Sequence, residues 1–562
     1  NPFQQANAVL LDVSDPSRVR EAVDEVPIAP RFTPPYAGGR PGGGGPVLTV
    51  LAPRFDPATG DPILPDRAAL YAPADAVVMR SDVLARLAGD ELQALADYVL
   101  GGGTLAVAIT RPEDLRQPTL VAFAGGPITA EAVSSTALAD LYLPTPVAAG
   151  SGAKPVPNAM HPTRETLKTL VGHAGGNLHG SPYGNSAAYG LGEVHLLAFD
   201  PTSKPAMSDP WAEARLVDLA RRAYDRRSTV VFRPGAWAAA RDLTTVRKQL
   251  DPNESSRWAI AAAALLLCLY AVVAGPLNFS RASKRGRPLR ALVRLPAWSA
   301  ATFVVVVGIG AVAKGVRGRA RHLSLVEAGA GMTEGVARRF RGFYAAKSEQ
   351  LTVRTSDRGS VVSGALMEGG DHHDRLLVDR DGARLVDVAA LPWQTVVVRE
   401  DGVATLGDGI AIAREGGDVV VINRTGKKLR GALLRLPTGS VVYLGALGDG
   451  QRVSSRAAKP VASMSGGAAW LASITATHMG AVDVHRLGAD KLSAVLEDDA
   501  PGLGDAWHAI DDAAGNAVDW FPDGAPVLLA QIDGGEGRRH DAGLDVDKDR
   551  LLVRVVGFGG AP

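Results

Sequence analysis

The sequence predicts a multidomain chain built from three unlike parts: an N-terminal α/β sandwich, a two-helix transmembrane hairpin and a C-terminal, mostly-β sandwich region. Three observations carry that expectation. Strand-like and helix-like segments alternate up to about residue 235, the pattern of an α/β sheet. Two uncharged runs of spanning length then follow one another across a loop that carries only cations. Beyond about His322 helical periodicity nearly disappears and short strand candidates succeed each other. The expected boundaries are 1–240 for the α/β domain, 241–257 for a linker, 258–277 and 295–313 for the spans, 278–294 for the basic loop and 314–562 for the β region.

In the first part AVLLDV (Ala8 to Val13) reads as a buried strand, followed by a helix with Ser14 or Asp15 as N-cap and Pro16 in its first turn. The Pro/Gly-rich TPPYAGGRPGGGGP then leads into VLTVL; it lacks the Gly-Lys-Ser/Thr ending of a phosphate loop. DAVVM is a strand. GDELQALADYVL is a helix with Leu92, Leu95, Ala96 and Val99 on one face, and Gly101 to Gly103 end it before the strand LAVAI. EVHLLAF (Glu193 to Phe199) is a late strand, and PWAEARLVDLARRAYD closes the domain as a helix.

The first apolar run, WAIAAAALLLCLYAVVAGPL, extends from Trp258 to Leu277 without a charge, matching the roughly 20 residues that cross a bilayer core. The second, LPAWSAATFVVVVGIGAVA, extends from Leu295 to Ala313. Between them lie Arg281, Lys284, Arg285, Arg287, Arg290 and Arg294 with no carboxylate, so the positive-inside rule places this loop in the cytoplasm and both large flanking regions outside. A second cationic group, Lys314, Arg317, Arg319 and Arg321, follows the second run. Gly275-Pro276 is expected to break the first helix near the headgroups. The chain starts at Asn1 with no basic n-region and apolar h-region, so insertion is directed either by a segment upstream of this sequence or by the internal run.

The β region offers HLSLVE, QLTVRT, RLLVDR, WQTVVVRE, DVVVINRT, SVVYLG, PVLLAQI and RLLVRVVG, separated by turn signals such as Asp401-Gly402 and Thr425-Gly426. The small-residue stretch Ser463 to Gly467 marks either a subdivision near residue 465 or a loop within one extended region. The segment DVVVINRTGKKLRGALLRLPTGSVVYLG resembles a hairpin pair of immunoglobulin-like sandwiches.

DAVVM, ELQALADYVLGGGTLAV and the late GEVHLLAFDP, within roughly Ala8 to Tyr224, resemble the class I glutamine amidotransferase-like fold. The resemblance implies a flavodoxin-like α/β sandwich of the kind that stands outside a membrane anchor in bacterial envelope proteins. Active members carry a cysteine on a strand-to-helix elbow and a His-Pro-Glu triplet after a late strand. Here LAVAI leads into Thr110-Arg111-Pro112, and the late triplet reads Asp200-Pro201-Thr202, so the resemblance implies a copy that does not hydrolyse glutamine. The wider order of parts resembles a group of bacterial membrane proteins, some of them thought to accompany envelope assembly machinery. That implies the inner (cytoplasmic) membrane as location, with the lipid bilayer and envelope proteins as partners.

The net charge of +1 and pI near 8.0 give no field that would recruit nucleic acid, and none is expected as a partner. The mean hydropathy of +0.05 is high for a soluble chain, and the two apolar runs carry the excess. The single cysteine, Cys268, sits inside the first run, which argues against a disulfide framework, a thiolate metal site or an exposed catalytic thiol. No metal and no cofactor are expected. The adjacent residues Asp371 to Asp374 (DHHD) point to alternate faces of a strand, and Asp545, Asp547 and Asp549 lack the glycine and glutamate of a calcium loop. No catalytic residue is assigned. The ligand-binding candidates are His173, His179, His195 and Asp200, which are expected to converge near the carboxyl edge of the first sheet, where open α/β sheets bind ligands. The function expected is binding or scaffolding of envelope partners, with a hydrolase-type site in the α/β domain as the alternative.

Overall fold

Seven strands form the first sheet: β1 (Ala8–Asp12), β2 (Leu48–Leu51), β3 (Ala76–Arg80), β4 (Thr104–Ala108), β5 (His179–Ser181), β6 (Gly184–Tyr189) and β7 (Gly192–Leu197). The computed structural model describes residues 8–14, 18–28, 47–71, 73–132, 162–230, 243–252, 257–286, 289–314, 317–363, 375–379, 382–392, 394–461, 496, 498–514, 520 and 525–559. The spatial order is β2-β1-β3-β4-β7-β6-β5. The first five are parallel; β6 runs antiparallel to both β7 and β5. β4 is buried on both faces, as a sheet clad by helices on two sides requires. α1 (Arg18–Val23) covers one face and α2 (Gly89–Leu100) the other; α3 (Pro210–Val230) lies beside α1.

The glycines between α2 and β4 each answer a steric demand. A Cβ on Gly103 would lie 2.3 Å from the Tyr98 ring, and one on Gly101 would lie 2.4 Å from Val336 of the β region. Gly101 is therefore a point where the two large parts touch.

The segment expected as a linker holds a helix, α4 (Leu243–Leu250), and this corrects the reading of 241–257. Leu243, Val246 and Leu250 are buried among Trp507, Ile510 and Leu323 of the β region. Their spacing of three and four residues puts one apolar stripe on that sheet.

Two helices are long and apolar enough to cross a bilayer, Ala261–Lys284 and Ala291–Ile309. They derive from α5 (Arg257–Val272), a π-helical turn at Val273–Leu277, α6 (Asn278–Lys284) and α7 (Leu289–Lys314). The expected break at Gly275-Pro276 does not occur. Helical geometry continues through Pro276, and the wider π turn accommodates a residue that cannot donate to the α-helical ladder. Arg281 and Lys284 accordingly lie on a helix rather than in a loop, and the chain turns at Arg285-Gly286. Arg290 and Arg294 lie in the first turns of α7, and Arg287 lies outside the described residues. Asn278 donates from Nδ2 to the Ala291 carbonyl (2.9 Å), where the small Ala274, Ala282 and Ala291 let the helices approach. Elsewhere their apolar side chains face outward: Leu265, Val293, Phe303 and Val304 are all more than 60 % exposed.

The C-terminal part is mostly β. Its large sheet uses β8 (Arg319–Gly329), β9 (Glu334–Tyr344), β10 (Val361–Ser363), β11 (Thr395–Thr405), β12 (Leu429–Arg435), β13 (Val441–Leu447), β14 (Lys459–Val461), β15 (Val527–Ile532) and β16 (Leu544–Val556). The order is β10-β11-β9-β8-β16-β15-β12-β13-β14, with β8 and β16 parallel. The pairing joins the first and last strands of this part at its centre. A three-stranded sheet of Ile410–Glu415, Asp418–Asn423 and Arg452–Ser454 packs on one face through Ile412 and Val421. The expected hairpin pair is thus split: Asp418–Asn423 joins this small sheet, while β12 and β13 pair in the large one. The other face is covered by α4 and by α8 (Leu503–Ala514), a helix the strand-dominated reading did not anticipate. Ser463 to Gly467, where a subdivision was left open, and Asp371 to Asp374 lie outside the described residues.

Candidate ligand-binding site

Period-two geometry on β6 and β7 assembles a polar cleft. Register places His179 on β5 opposite Ser186 on β6, and Ser186 opposite His195 on β7, so the three share one face of the sheet. Glu193, two residues before His195, joins them, and α3 closes the face with Arg222 and Arg226 one helical turn apart. Together with Thr104, Ser181, Tyr183 and Leu219 these residues line a cleft of about 150 Å³.

The polarity of its hydrogen bonds is informative. Burial pushes the Glu193 carboxyl up, but His195, Arg226 and the Ser186 hydroxyl more than offset this and hold it at about 2. Glu193 is therefore ionised and can only accept. It pairs with His195 Nε2 (3.3 Å) and Arg226 Nη1 (3.1 Å). Ser186 Oγ lies 3.2 Å from His179 Nε2, within hydrogen-bond reach, and the His179 tautomer decides which of the two donates. Arg226 also donates from Nε to the Leu191 carbonyl and from Nη2 to that of Gly192, both 3.2 Å, which fixes α3 to β7. Tyr183 donates to Asp218 (2.7 Å), and Arg222 binds the same carboxylate (3.1 Å) while stacking over the Tyr183 ring. At the mouth the Arg222 guanidinium and the His179 ring are exposed to solvent. The cleft is polar, with an ionised carboxylate inside it and a guanidinium at its mouth.

Of the four residues the sequence singled out, His179 and His195 meet here, and the other two lie elsewhere. The expected convergence of all four is corrected in that respect. His173 is buried in the short strand Val171–Ala174, its two ring nitrogens without partners, and burial depresses it to about 4, so it is a neutral packing residue. Asp200 follows β7 at the opposite, carboxyl edge and folds back on the N–H and hydroxyl of Thr202 (2.8 and 2.6 Å). The sequence reading missed Ser186, Glu193, Arg222 and Arg226. The signals were present: Glu193 and His195 are two apart on a strand, and Arg222 and Arg226 four apart on a helix.

The carboxyl edge itself is closed by local bonds. The Ser81 hydroxyl donates to Asp114 (2.6 Å) and accepts from the Thr110 N–H (3.0 Å), while Arg111 binds Asp114 (2.9 Å). Arg80 spans Asp82 (2.9 Å) and Thr202 (3.5 Å). Thr110 and Thr202 thus stand on bonded turns at this edge.

A second buried polar centre lies in the β region. Arg341 binds Glu400 (2.6 Å) and Asp541; His322 Nε2 reaches Asp541 (2.7 Å); Arg339 joins Glu400 (3.2 Å) to Glu536 (2.6 Å). Arg554 and Glu327 form a further buried pair (2.7 Å). Each charge meets its opposite, the arrangement of a structural network. Asp547 is held by Arg321 (2.9 Å), and Asp549 accepts from the Gly537 N–H (2.9 Å). Among the described residues no three His, Cys, Asp or Glu side chains gather as metal ligands. Comparison with family models, with curated proteins and with solved structures finds no match to the chain.

Proposed function

We propose that the chain is a bacterial envelope protein anchored in the inner membrane by its helical hairpin, with both large parts outside, and that it binds or scaffolds envelope partners rather than catalysing a reaction. The observation that carries this reading is the rooting of the hairpin. α4 before it and β8 after it belong to one hydrophobic core, and Arg321 donates to the Asp251 carbonyl (3.1 Å) across its base. A pair of outward-facing apolar helices leaving and re-entering one domain suits a bilayer, with the flanking parts on one side of it. The cations at the far end, Arg281, Lys284, Arg285 and Arg294, favour the cytoplasmic side for the turn.

The α/β part is read as a flavodoxin-like domain of the amidotransferase-like kind without its hydrolytic residues. Its five parallel strands follow the order 2-1-3-4-5 when numbered along the chain, the flavodoxin-like sequence of strands. The bonded turns at Thr110 and Asp200 to Thr202 support the loss of nucleophile and base. The polar cleft around Glu193 then offers a place for a small polar group of a partner or envelope ligand.

Labelling tests the anchor. With Cys268→Ser as background, a cysteine at Ser283 should resist a membrane-impermeant maleimide in intact cells and react after permeabilisation; reaction in intact cells overturns the orientation. A hydrolase reading is favoured only by the 3.2 Å approach of Ser186 and His179. Exchange of His173, His179, His195 and Asp200 for Ala, and separately Ser186→Ala, should leave function in cells intact if the role is binding elsewhere on the protein. Loss with Ser186→Ala but not with Asp200→Ala would show that the cleft is used, and hydrolysis of a p-nitrophenyl ester abolished by Ser186→Ala would favour the hydrolase over binding.

A further inference from the structure

A three-stranded sheet of Glu349–Arg354, Gly382–Ala390 and Arg375–Asp379 lies beside the large one, and Arg375–Asp379 is its edge. All five residues of this strand, Arg-Leu-Leu-Val-Asp, are exposed, with Val378 at 58 %. Three consecutive apolar residues on an edge that no other strand of the described residues covers invite pairing with another strand. We propose that this edge pairs antiparallel with the same edge of a second copy of the chain, about a two-fold axis through Leu377.

Two independent features select that occupant and that register. The first is charge. Read antiparallel against itself, the strand sets Arg375 opposite Asp379 of the second copy, twice, with Leu376 opposite Val378 and Leu377 opposite itself. The present partners of these charges, Asp387 for Arg375 (2.7 Å) and Arg384 for Asp379 (3.3 Å), are only half-buried, so exchanging them costs little. The second is hydrogen-bond parity. The Ala383 carbonyl accepts from the Thr355 N–H (3.0 Å), so it faces away from Val378, its partner on the edge strand. The Val378 N–H and carbonyl therefore project to the open side, and strand alternation puts those of Leu376 there too. Pairing Leu376 with Val378 of the second copy is the register that joins these outward groups, through four backbone bonds. A shift by one residue would lose both the bonds and the charge pairing. At the end of the edge Arg67 Nη2 donates to the Asp379 carbonyl (3.0 Å), which holds the strand against the α/β part and leaves Leu376 and Val378 open. Symmetric pairing of one patch is the usual form of a two-fold contact.

The test uses the full chain purified in detergent, with Cys268→Ser to remove the native thiol. In the proposed register Leu377 faces its own copy in a non-hydrogen-bonded pair, at a Cα separation of about 4.5 Å, within disulfide reach. Leu377→Cys should give a covalent dimer under mild oxidation, whereas Leu376→Cys, facing Val378 instead of itself, should not. Arg375→Asp should reduce the Leu377→Cys dimer several-fold, and adding Asp379→Arg should restore it. No dimer with Leu377→Cys, equal yield with Leu376→Cys, or indifference to Arg375→Asp would overturn the proposal.

Discussion

Among the buried groups that respond to acid, beside Glu193 of the cleft, His173 and Asp541 give separable tests. His173 titrates at about 4 when folded and at about 6.5 when unfolded, so the unfolded chain takes up its proton first as pH falls. Above about 6.5 it is neutral in both states and its effect does not vary with pH, and the folded state loses about 3 kcal/mol between there and about 4. Asp541 behaves as a paired carboxylate. Burial raises it, but His322 and Arg341 hold it at about 2, so its contribution is present above about 4 and is lost towards 2, about 2 kcal/mol in all. Denaturation followed by pH should therefore include an acid loss from each of the two. His173→Leu should flatten the first, in the α/β part, and Asp541→Asn the second, in the β part. The pair of Glu327 and Arg554 allows a third measurement, because both are at most 1 % exposed. Glu327→Ala removes a carboxylate from a fully buried guanidinium and should cost about 3–5 kcal/mol in the β part, whereas replacing both residues with apolar ones should cost far less. None of these pairs was legible in the sequence: His322 and Asp541 are 219 residues apart, and only the closing of the sheet by β16 brings them together. In the cleft the individual histidines were legible, but their partners were not, because the antiparallel turn of β5 to β7 decides which residues face α3.

Elements were legible where local pattern and burial agreed. The α2 stripe, the glycines after it and the strands of both large parts follow from periods of 3.6 and 2, since each buries one face against its neighbours. α4 and α8 show where local reading stopped. Each carries a clear stripe, Leu243, Val246 and Leu250 in one and Leu503, Trp507 and Ile510 in the other, but α4 precedes the hairpin in a stretch that reads as a tether. Its sheet contacts, β8, β9 and β11, come from residues beyond the hairpin, and no local signal reports them. The energetic consequence is direct. Leu250 packs against Gly342, where a Cβ would lie 2.7 Å from that of Leu250. Leu250→Ala should cost about 2–5 kcal/mol, as deletion of a buried leucine does, and should be read in the melting of the β part while the α/β part keeps its transition. An unchanged β transition would mean that α4 is a passenger on that sheet.

At the scale of the molecule the β part is discontinuous in sequence, with the hairpin inserted between α4 and β8. Its two ends are already close: Arg321 bonds the Asp251 carbonyl, and Thr395 bonds the Asp251 carboxylate (3.3 Å). A helical hairpin satisfies its own backbone and contributes outward apolar surface, so the core of the β part does not depend on it. It does depend on α4, which covers Leu323, Phe340 and Val397. Two shortened chains separate these roles. Replacing residues 253–316 by a short Gly/Ser link should leave a chain that is soluble without detergent and keeps a cooperative β transition, because the bridged ends are neighbours and the closure cost of a short loop is small. Extending the deletion to residues 243–316 removes α4 as well, uncovers that apolar face of the sheet, and should give a chain that binds a hydrophobic dye and whose β part melts without cooperativity. If instead the second chain folds as well as the first, α4 is not part of the β core, and the hairpin is joined to a tether as the sequence alone had implied.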